Sequence, residues 1–343
     1  MQESLYRNRI LIFGGTGSLG KKLIERFKES NLVYVYSRDE AKHWTIRNEI
    51  AHQDKAKNVN FFVGDIRDPH RVKECINLCR PSVIIVAAAL KQVDTCELSP
   101  YESVKTNLLG TQNVLDAVDG YTPDLDLKVL FVSTDKACSP VNVYGMCKST
   151  SERLVTSKAA HSRPDVTYLA TRYGNVLESR GSIIPLFKYQ AENAEHLTVT
   201  DPEMTRFVMT LDDSVDLIVN TLLHGKSGET WIPVLPAMKI GDLAQIFAER
   251  HEKEIKIIGL RPGEKKHEDL VNESESVRTM KHETGHYVIG PAFNAGDSNK
   301  RFTYTSNDDV MTKKQLFEHL KKLGIIDRAL EQFTGKNIEE IRK

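Results

Sequence analysis

The residues Ser133-Thr134-Asp135-Lys136, followed closely by Tyr144 and Lys148, bring an acid, two amines, hydroxyls and a phenol into one short span of this chain. Tyr144 and Lys148 are spaced i and i+4, so on a helix opening after Pro140 they share a face one turn apart. A cation beside a phenol favours the phenolate. Tyr144 is therefore a candidate base for a hydroxyl group, with Lys148 tuning it and hydrogen-bonding a nearby ribose. Taken alone, such a pair is also an ordinary surface arrangement, so its meaning rests on what surrounds it. Thr134, Asp135 and Lys136 follow the apolar run Lys128-Val-Leu-Phe-Val, which reads as a buried parallel strand. Open α/β sheets place ligands at the carboxyl ends of such strands, so these three residues are expected to face a site.

The elements that must position them begin with Arg9-Ile-Leu-Ile-Phe, a short buried strand. It runs into Gly14-Gly-Thr16-Gly17-Ser18-Leu19-Gly20 and then a helical segment. Glycines in such a turn let the backbone approach a pyrophosphate, whose charge is held by N–H groups at the helix N-terminus. The second strand, Leu32-Val-Tyr-Val-Tyr, ends in Ser37-Arg38-Asp39, where an acid favours NAD and an Arg accepts the extra phosphate of NADP. With Ser37 and Arg38 preceding Asp39, NADP is the expected cofactor. Asp65 and Ile66 close the third strand and are placed to meet the adenine edge. The fourth strand ends in Ala87-Ala-Ala-Leu-Lys91, small residues that let a flat cofactor lie against backbone. Asn107 sits on the next helix as a structural cap or a contact. Another strand from Asp165 ends in Arg172-Tyr-Gly-Asn175-Val176.

Strand and helix alternate through most of this stretch, which argues for an α/β chain with a Rossmann-like, doubly wound parallel sheet. The pattern loosens afterwards. We expect a NADP-binding domain over residues 1–175 and a smaller substrate-binding region over 176–343, with some segments returning to the sheet. Helices are expected over Leu211 to Leu223, Ile240 to Ala248 and Lys313 to Leu323, and irregular structure with short strands over 272–308.

Lys plus Arg and Asp plus Glu both number 47 among 343 residues, so no net field points to nucleic acid or a membrane surface. Small molecules are the expected partners. No apolar run approaches the ~20 residues that span a bilayer, and the start is not a signal peptide, so a cytoplasmic location is expected. The five cysteines lack metal-like spacing and no metal is expected. Cys75 and Cys79 share a helical face and are expected to be buried, while Cys138 and Cys147 flank the site and would be reactive if exposed.

Taken together, GGTGSLG, VYSRDE, GDIRD, AAALKQV, STDKA, YGMCK, RYGNVLESRGSIIP, MTRF and RPGEKKHE resemble the extended short-chain dehydrogenase/reductases that act on nucleotide sugars. The resemblance is greatest to the C5-inverting UDP-N-acetylglucosamine 4,6-dehydratases and runs to about residue 270. It implies that Thr16 to Gly20, Ser37, Arg38, Lys42, Asp65, Ile66 and Ala88 hold a tightly bound, recycled NADP. Lys91, Tyr144, Lys148 and Val176 would lie beside its nicotinamide half or the sugar. Asn175, Arg180, Gly181, Ser182, Thr200, Met204, Arg206, Arg261 and Glu264 match substrate positions, with Arg206 and Arg261 suited to a UDP pyrophosphate. Thr-Asp-Lys at 134–136 matches the amino-sugar dehydratases, and Tyr144 matches those that invert C5. The implied mechanism has Tyr144 take the C4 hydroxyl proton. Lys136, with a pKa lowered by burial and neighbouring cations, removes the C5 proton, and Asp135 protonates the departing C6 hydroxyl. Relatives pair through the helix bearing Tyr144, so a homodimer or higher assembly is expected, with Leu108, Leu115 and Leu154 in the contact. A UDP-sugar 4-epimerase and a non-catalytic NADP-binding protein are the alternatives.

Overall fold

The computed structural model describes residues 5–53, 55–161, 163–177, 182–294, 296 and 301–328. Strands β1 (Arg9–Phe13), β2 (Leu32–Ser37), β3 (Val59–Val63), β4 (Val83–Val86), β5 (Leu127–Val132) and β6 (Val166–Thr171) alternate with helices. These are α1 (Ser18–Phe27), α2 (Glu40–Ile50), α3 (Pro69–Cys79), the short α4 (Val93–Leu98) and α5 (Pro100–Ser103), α6 (Gly110–Asp119) and α7 (Val143–Ser157). The runs Ile10–Phe13 and Val83–Val86 are buried on both faces, as parallel strands covered by helices on either side must be. Leu23, Ile24, Phe27 and Ile46 from α1 and α2 pack on one face, and Val72, Ile76, Val114, Val118 and Val155 from α3, α6 and α7 pack on the other. This is the doubly wound arrangement expected from the alternation.

The second half adds α8 (Ile183–Asn193), β7 (His196–Val199), β8 (Thr205–Phe207), α9 (Leu211–His224), β9 (Thr230–Ile232), β10 (Ala237–Lys239), α10 (Ile240–His251) and β11 (Glu254–Ile257). It continues with β12 (Asp269–Val271), α11 (Glu273–Ser276), β13 (Thr279–Lys281), β14 (Tyr287–Ile289), β15 (Tyr304–Thr305) and α12 (Lys313–Lys322). The large sheet has nine strands in the order β13-β14-β9-β6-β5-β4-β1-β2-β3, with β13 and β14 antiparallel at one edge. Thus β9, β13, β14 and the sheet-packed α9 return to the first unit, and residue 175 does not divide the chain cleanly. A separate smaller core joins Ile184 and Phe187 of α8 to Leu197, Leu243, Phe247, Leu316 and Leu320. The described residues of 272–308 hold short strands and one helical turn, in line with their weak periodicity.

Two differences from the sequence reading concern α6. Residues Val104–Leu109 form a π-helical segment ahead of it, and Asn107 there accepts the Leu90 N–H (2.8 Å) and donates to the Leu90 carbonyl (2.9 Å). Asn107 is thus a brace for the loop after β4. Leu115, expected at a subunit contact, is buried against the sheet at 1% exposure. The exposed apolar side chains near this face are Leu98, Tyr101, Leu109 and Met146.

A buried ionic knot ties β6 to α7 and α11. Arg172 is 2% exposed and donates to Glu152 Oε2 (3.2 Å), to both Glu275 oxygens (2.8 Å each) and to the Leu270 carbonyl (2.9 Å). Burial by itself raises the Glu275 carboxyl, but the charge and hydrogen bonds of Arg172 bring it down to about 2. A carboxyl depressed on folding stabilises the folded state above its unfolded pKa of about 4.3. That contribution should be lost as pH falls from there toward about 2. Acid unfolding followed by circular dichroism should show this loss, and Glu275→Gln should flatten the slope. Arg172→Met should cost about 3–5 kcal/mol in denaturant unfolding, because two buried carboxylates lose their cation.

Candidate active site

The carboxyl ends of β1, β4, β5 and β6 open onto a cleft of about 960 Å³ between the sheet unit and the smaller core. At its sheet end the glycine turn leads into α1. Gly14 has φ +83°, and a Cβ there would lie 2.7 Å from the Ala88 backbone, so the turn and the loop after β4 meet as only glycine allows. Gly17, at the N-cap of α1, has no side chain to cap the helix, and the first turn of α1 lines the cleft. Gly14, Thr16, Gly17, Ser18, Leu19 and Gly20 all line the wall, with Ala88, Lys91 and Val176 farther along it. A glycine cradle, an uncapped helix terminus and an alanine-lined slot fit a dinucleotide.

At the adenosine end, Thr16 donates to Ser37 Oγ (3.1 Å), and Ser37 Oγ lies 2.8 Å from His43 Nε2. Asp39 caps α2 by accepting the Lys42 N–H (3.0 Å) and pairs with Lys42 Nζ at 2.8 Å. Arg38 stays 55% exposed on the rim, 3.7 Å from Asp65. Ile66 packs beneath, buried.

The chemically active end is built on an extension of the β5–β6 ladder. Ser133 N donates to the Thr171 carbonyl (2.7 Å) and Asp135 N to the Tyr173 carbonyl (2.9 Å), which carries the polar residues past the sheet edge in fixed register. Thr134, Asp135, Lys136, Tyr144 and Lys148 all line the cleft there. Asp135 is 1% exposed, and its Oδ1 accepts from Thr134 Oγ1 (2.9 Å), Lys136 N (2.8 Å) and Lys136 Nζ (3.1 Å). Its Oδ2 has no hydrogen-bond partner among the described residues. Gly145 is required on α7 because any Cβ would run into the Lys136 carbonyl oxygen, so the helix bearing Tyr144 presses directly on the turn bearing Lys136.

The electrostatics differ from expectation at two positions. Lys136 was expected to lose its proton easily. Burial does act in that direction, but Asp135 and Glu268, the latter 3.4 Å from Nζ, outweigh it and hold the amine above its ordinary range. Burial raises the Tyr144 phenol to about 12, with the Lys136 charge and a hydrogen bond with Thr134 opposing the rise. Lys148 donates to the Val132 carbonyl and sits 3.8 Å above the Phe131 ring. Burial lowers it to about 7.

On the substrate side, Asn175, Ser182, Arg206, Arg261 and Glu264 line the cleft. Arg180 and Gly181 lie outside the described residues. Thr200 and Met204 stand behind the wall, with Thr200 Oγ1 donating to Met204 Sδ (3.1 Å) and Met204 1% exposed. Gln190 and Thr198, joined by a 2.7 Å bond, line the cleft in their place. The Arg206 guanidinium donates to the carbonyls of Thr205 (2.7 Å), Lys265 (2.9 Å) and Lys266 (3.2 Å), so it holds the loop instead of presenting an open fork. Arg261 remains exposed at the mouth, its turn fixed by Glu264 Oε2 accepting the Arg261 N–H (3.0 Å). Asn142 caps α7 and donates to the Gly263 carbonyl (2.8 Å), joining this turn to the catalytic helix. Glu268 belongs to the RPGEKKHE motif, but nothing in local spacing marked it as a site residue.

Comparison with known proteins places this geometry in a family. Residues 10–289 match the polysaccharide biosynthesis protein family. The chain is a member of that family. A relative from Campylobacter jejuni, a UDP-N-acetylglucosamine 4,6-dehydratase (inverting), is 39% identical over 305 residues, 87% of each chain. A UDP-glucose 4-epimerase from Rickettsia typhi is also 39% identical, over 289 residues and 82% of each chain. The X-ray structure of Pen from Bacillus thuringiensis superposes with a TM-score of 0.85 at 34% identity, covering 93% of this chain and 98% of that one. The family member described here is an extended short-chain dehydrogenase/reductase of the nucleotide-sugar dehydratase and epimerase kind. Among the described residues no helix is long and apolar enough to cross a membrane.

All five cysteines are buried, Cys138 and Cys147 included, and burial pushes the Cys138 thiol up to about 12 and the Cys147 thiol upward. Cys75 and Cys79 touch at 3.7 Å between sulfurs. The two site-flanking thiols should therefore resist iodoacetamide in the native protein and react only after denaturation. Mass spectrometry showing rapid native labelling of either would contradict the burial.

Proposed function

We propose that the chain is a UDP-N-acetylglucosamine 4,6-dehydratase that inverts C5 and uses NADP. The observation that carries this reading is the placement of Asp135 and Lys136 beside Tyr144 in one cleft. Oxidation and reduction at C4 need a base for one hydroxyl, which Tyr144 supplies; an additional acid and amine suit chemistry at C5 and C6. The inverting dehydratase from Campylobacter jejuni supports the same reading.

Gly14 to Gly20, Ser37, Arg38, Lys42, Asp65, Ile66 and Ala88 would hold the cofactor, with Lys148 at its ribose. When bound, the nicotinamide supplies a hydride acceptor for C4 and a hydride donor for C6. Tyr144 takes the C4 hydroxyl proton; burial raises its phenol, and the Lys136 charge opposes that rise. A C4 ketone acidifies the C5 proton, which Lys136 removes. Asp135 protonates the departing C6 hydroxyl. A proton delivered to C5 from the opposite face then inverts that centre. Arg261 at the mouth would grip the diphosphate, and Asn175, Ser182, Gln190 and Thr198 would face the sugar and nucleoside.

The division of labour is testable in a single turnover with UDP-N-acetylglucosamine. Lys136→Ala should still reduce bound NADP while dehydrated product falls at least about 10²-fold, since a positioned base contributes about 10²–10⁴. Tyr144→Phe should block cofactor reduction itself. Wild-type rates of water loss in Lys136→Ala would remove Lys136 from the role of base.

The cofactor preference rests on Arg38, whose guanidinium lies on the rim while Asp39 is engaged by Lys42. Arg38→Ala should weaken NADP binding more than NAD binding by isothermal titration calorimetry. Equal weakening, or purified protein carrying only NAD, would contradict it.

A further inference from the structure

Glu268 is a buried carboxyl lining the cleft that the proposed chemistry leaves without a task. It precedes β12 and is 2% exposed, with its backbone clamped on both sides by Ser306. Glu268 N donates to Ser306 Oγ (2.9 Å), and Ser306 N donates to the Glu268 carbonyl (2.8 Å). Ser306 is itself buried and bonded to Thr205 Oγ1 (2.7 Å). The side chain so fixed points at Lys136, with Oε1 3.4 Å from Nζ. Its other oxygen, Oε2, is buried with no hydrogen-bond partner among the described residues, and its nearest cation, Lys265 Nζ, is 4.0 Å away. The groups facing this carboxyl are Lys136 and Asp135 from the turn after β5, Arg206 Nε from β8 at 3.9 Å, and Lys265 from its own loop. A carboxylate kept only to neutralise a lysine would gain from a full set of donors, and a buried unpartnered oxygen costs stability.

Lys136 Nζ therefore stands between two buried carboxyls, 3.1 Å from Asp135 Oδ1 and 3.4 Å from Glu268 Oε1. An ammonium in that position cannot remove a carbon-bound proton until it gives one up. Solvent is an unfavourable recipient once a sugar nucleotide fills the cleft. Transfer to a carboxylate replaces two buried charges by two neutral groups, which lower polarity favours.

We infer that Glu268 is the internal proton acceptor that frees the Lys136 amine for work at C5 and afterwards recharges Asp135 through Lys136. The inference rests on the dehydration reading above. In the first transfer an N–H bond of the Lys136 ammonium breaks and an O–H bond forms on Glu268 Oε1; the electron pair stays on Nζ. The amine takes the C5 proton and is an ammonium again, while Asp135, which enters the cycle protonated, gives its proton to the departing hydroxyl, giving water. Lys136 then passes a proton to Asp135 and receives the one held by Glu268. The three groups return to their starting state, and nothing in the relay is oxidised or reduced. Burial raises the Glu268 carboxyl above its ordinary range, in keeping with a proton acceptor. Toward the substrate Glu268 is a positioning residue, because it acts through Lys136.

The test uses the full chain loaded with cofactor and UDP-N-acetylglucosamine in heavy water, measuring deuterium uptake at C5 against reduced cofactor across about pH 6 to pH 9. With an internal acceptor the wild-type uptake rate should be nearly flat in pH. In Glu268→Gln the ratio of C5 label to reduced cofactor should fall about 10²–10⁴-fold at neutral pH and then climb about tenfold per pH unit, because Lys136 must release its proton to solvent. Glu268→Asp should recover part of the flat profile. A Glu268→Gln protein with the wild-type ratio and profile would overturn the relay, as would a uniform loss with an unchanged profile. If Glu268→Gln does not fold, the wild-type profile decides: a tenfold rise per unit overturns the proposal. Wild-type protein that oxidises C4 and never labels C5 removes the dehydration reading and the relay together, whereas label retained in Glu268→Gln removes the relay alone.

Discussion

The cleft depends on holding one ammonium, that of Lys136, between two buried carboxyls beside a phenol. Charges packed this closely persist only where backbone hydrogen bonds and sterics prevent them from drifting apart or reaching water. Three devices do this. The β5–β6 ladder continues beyond the sheet through Asp135 N and the Tyr173 carbonyl. Gly145 lets α7 close down on Lys136, which brings the Tyr144 phenol within its field. Ser306 clamps Glu268 from the far side of the chain. The consequence is a cationic Lys136, a Tyr144 phenol whose rise on burial Lys136 partly offsets, and a cluster arranged to move protons without solvent.

The same geometry explains how two cores share one site. The sheet unit supplies the glycine turn, the alanine slot after β4 and the catalytic turn after β5, all at strand carboxyl ends where an open α/β sheet leaves a crevice. The smaller core supplies Gln190 and Thr198. The loops between 204 and 268 bridge them: Asn142 on α7 holds the Gly263 carbonyl, and Arg206 ties its own strand to the carbonyls of Lys265 and Lys266. Arg172, beneath the floor, fixes α7 against α11. A guanidinium occupied in this way builds the wall, whereas Arg261 stays exposed at the mouth.

What the sequence made legible was local. The glycine turn, the i,i+4 spacing of Tyr144 and Lys148, and the polar residues ending β5 are short-range patterns with direct physical causes, and each of them lines the cleft. What it concealed was long-range. The charge of Lys136 is set first by its neighbour Asp135, but the share of Glu268, far along the chain, could not be read locally. Thr200 and Met204 carry the right residue types but are not among the residues lining the cleft, where Gln190 and Thr198 are. Leu115 has the apolar character of a contact residue, yet the helix phase directs it into the sheet. Both strand and helix periodicities describe faces, and only packing decides which face meets a ligand or a partner.

In the proposed mechanism a sugar entering this cleft loses water and is not merely turned over at C4. The most direct measurement is NMR of UDP-N-acetylglucosamine incubated with the purified protein in heavy water. The account predicts a 4-keto-6-deoxy sugar of inverted C5 configuration, deuterated at C5. A UDP-N-acetylgalactosamine product that keeps its C6 hydroxyl and carries no deuterium at C5 would contradict it.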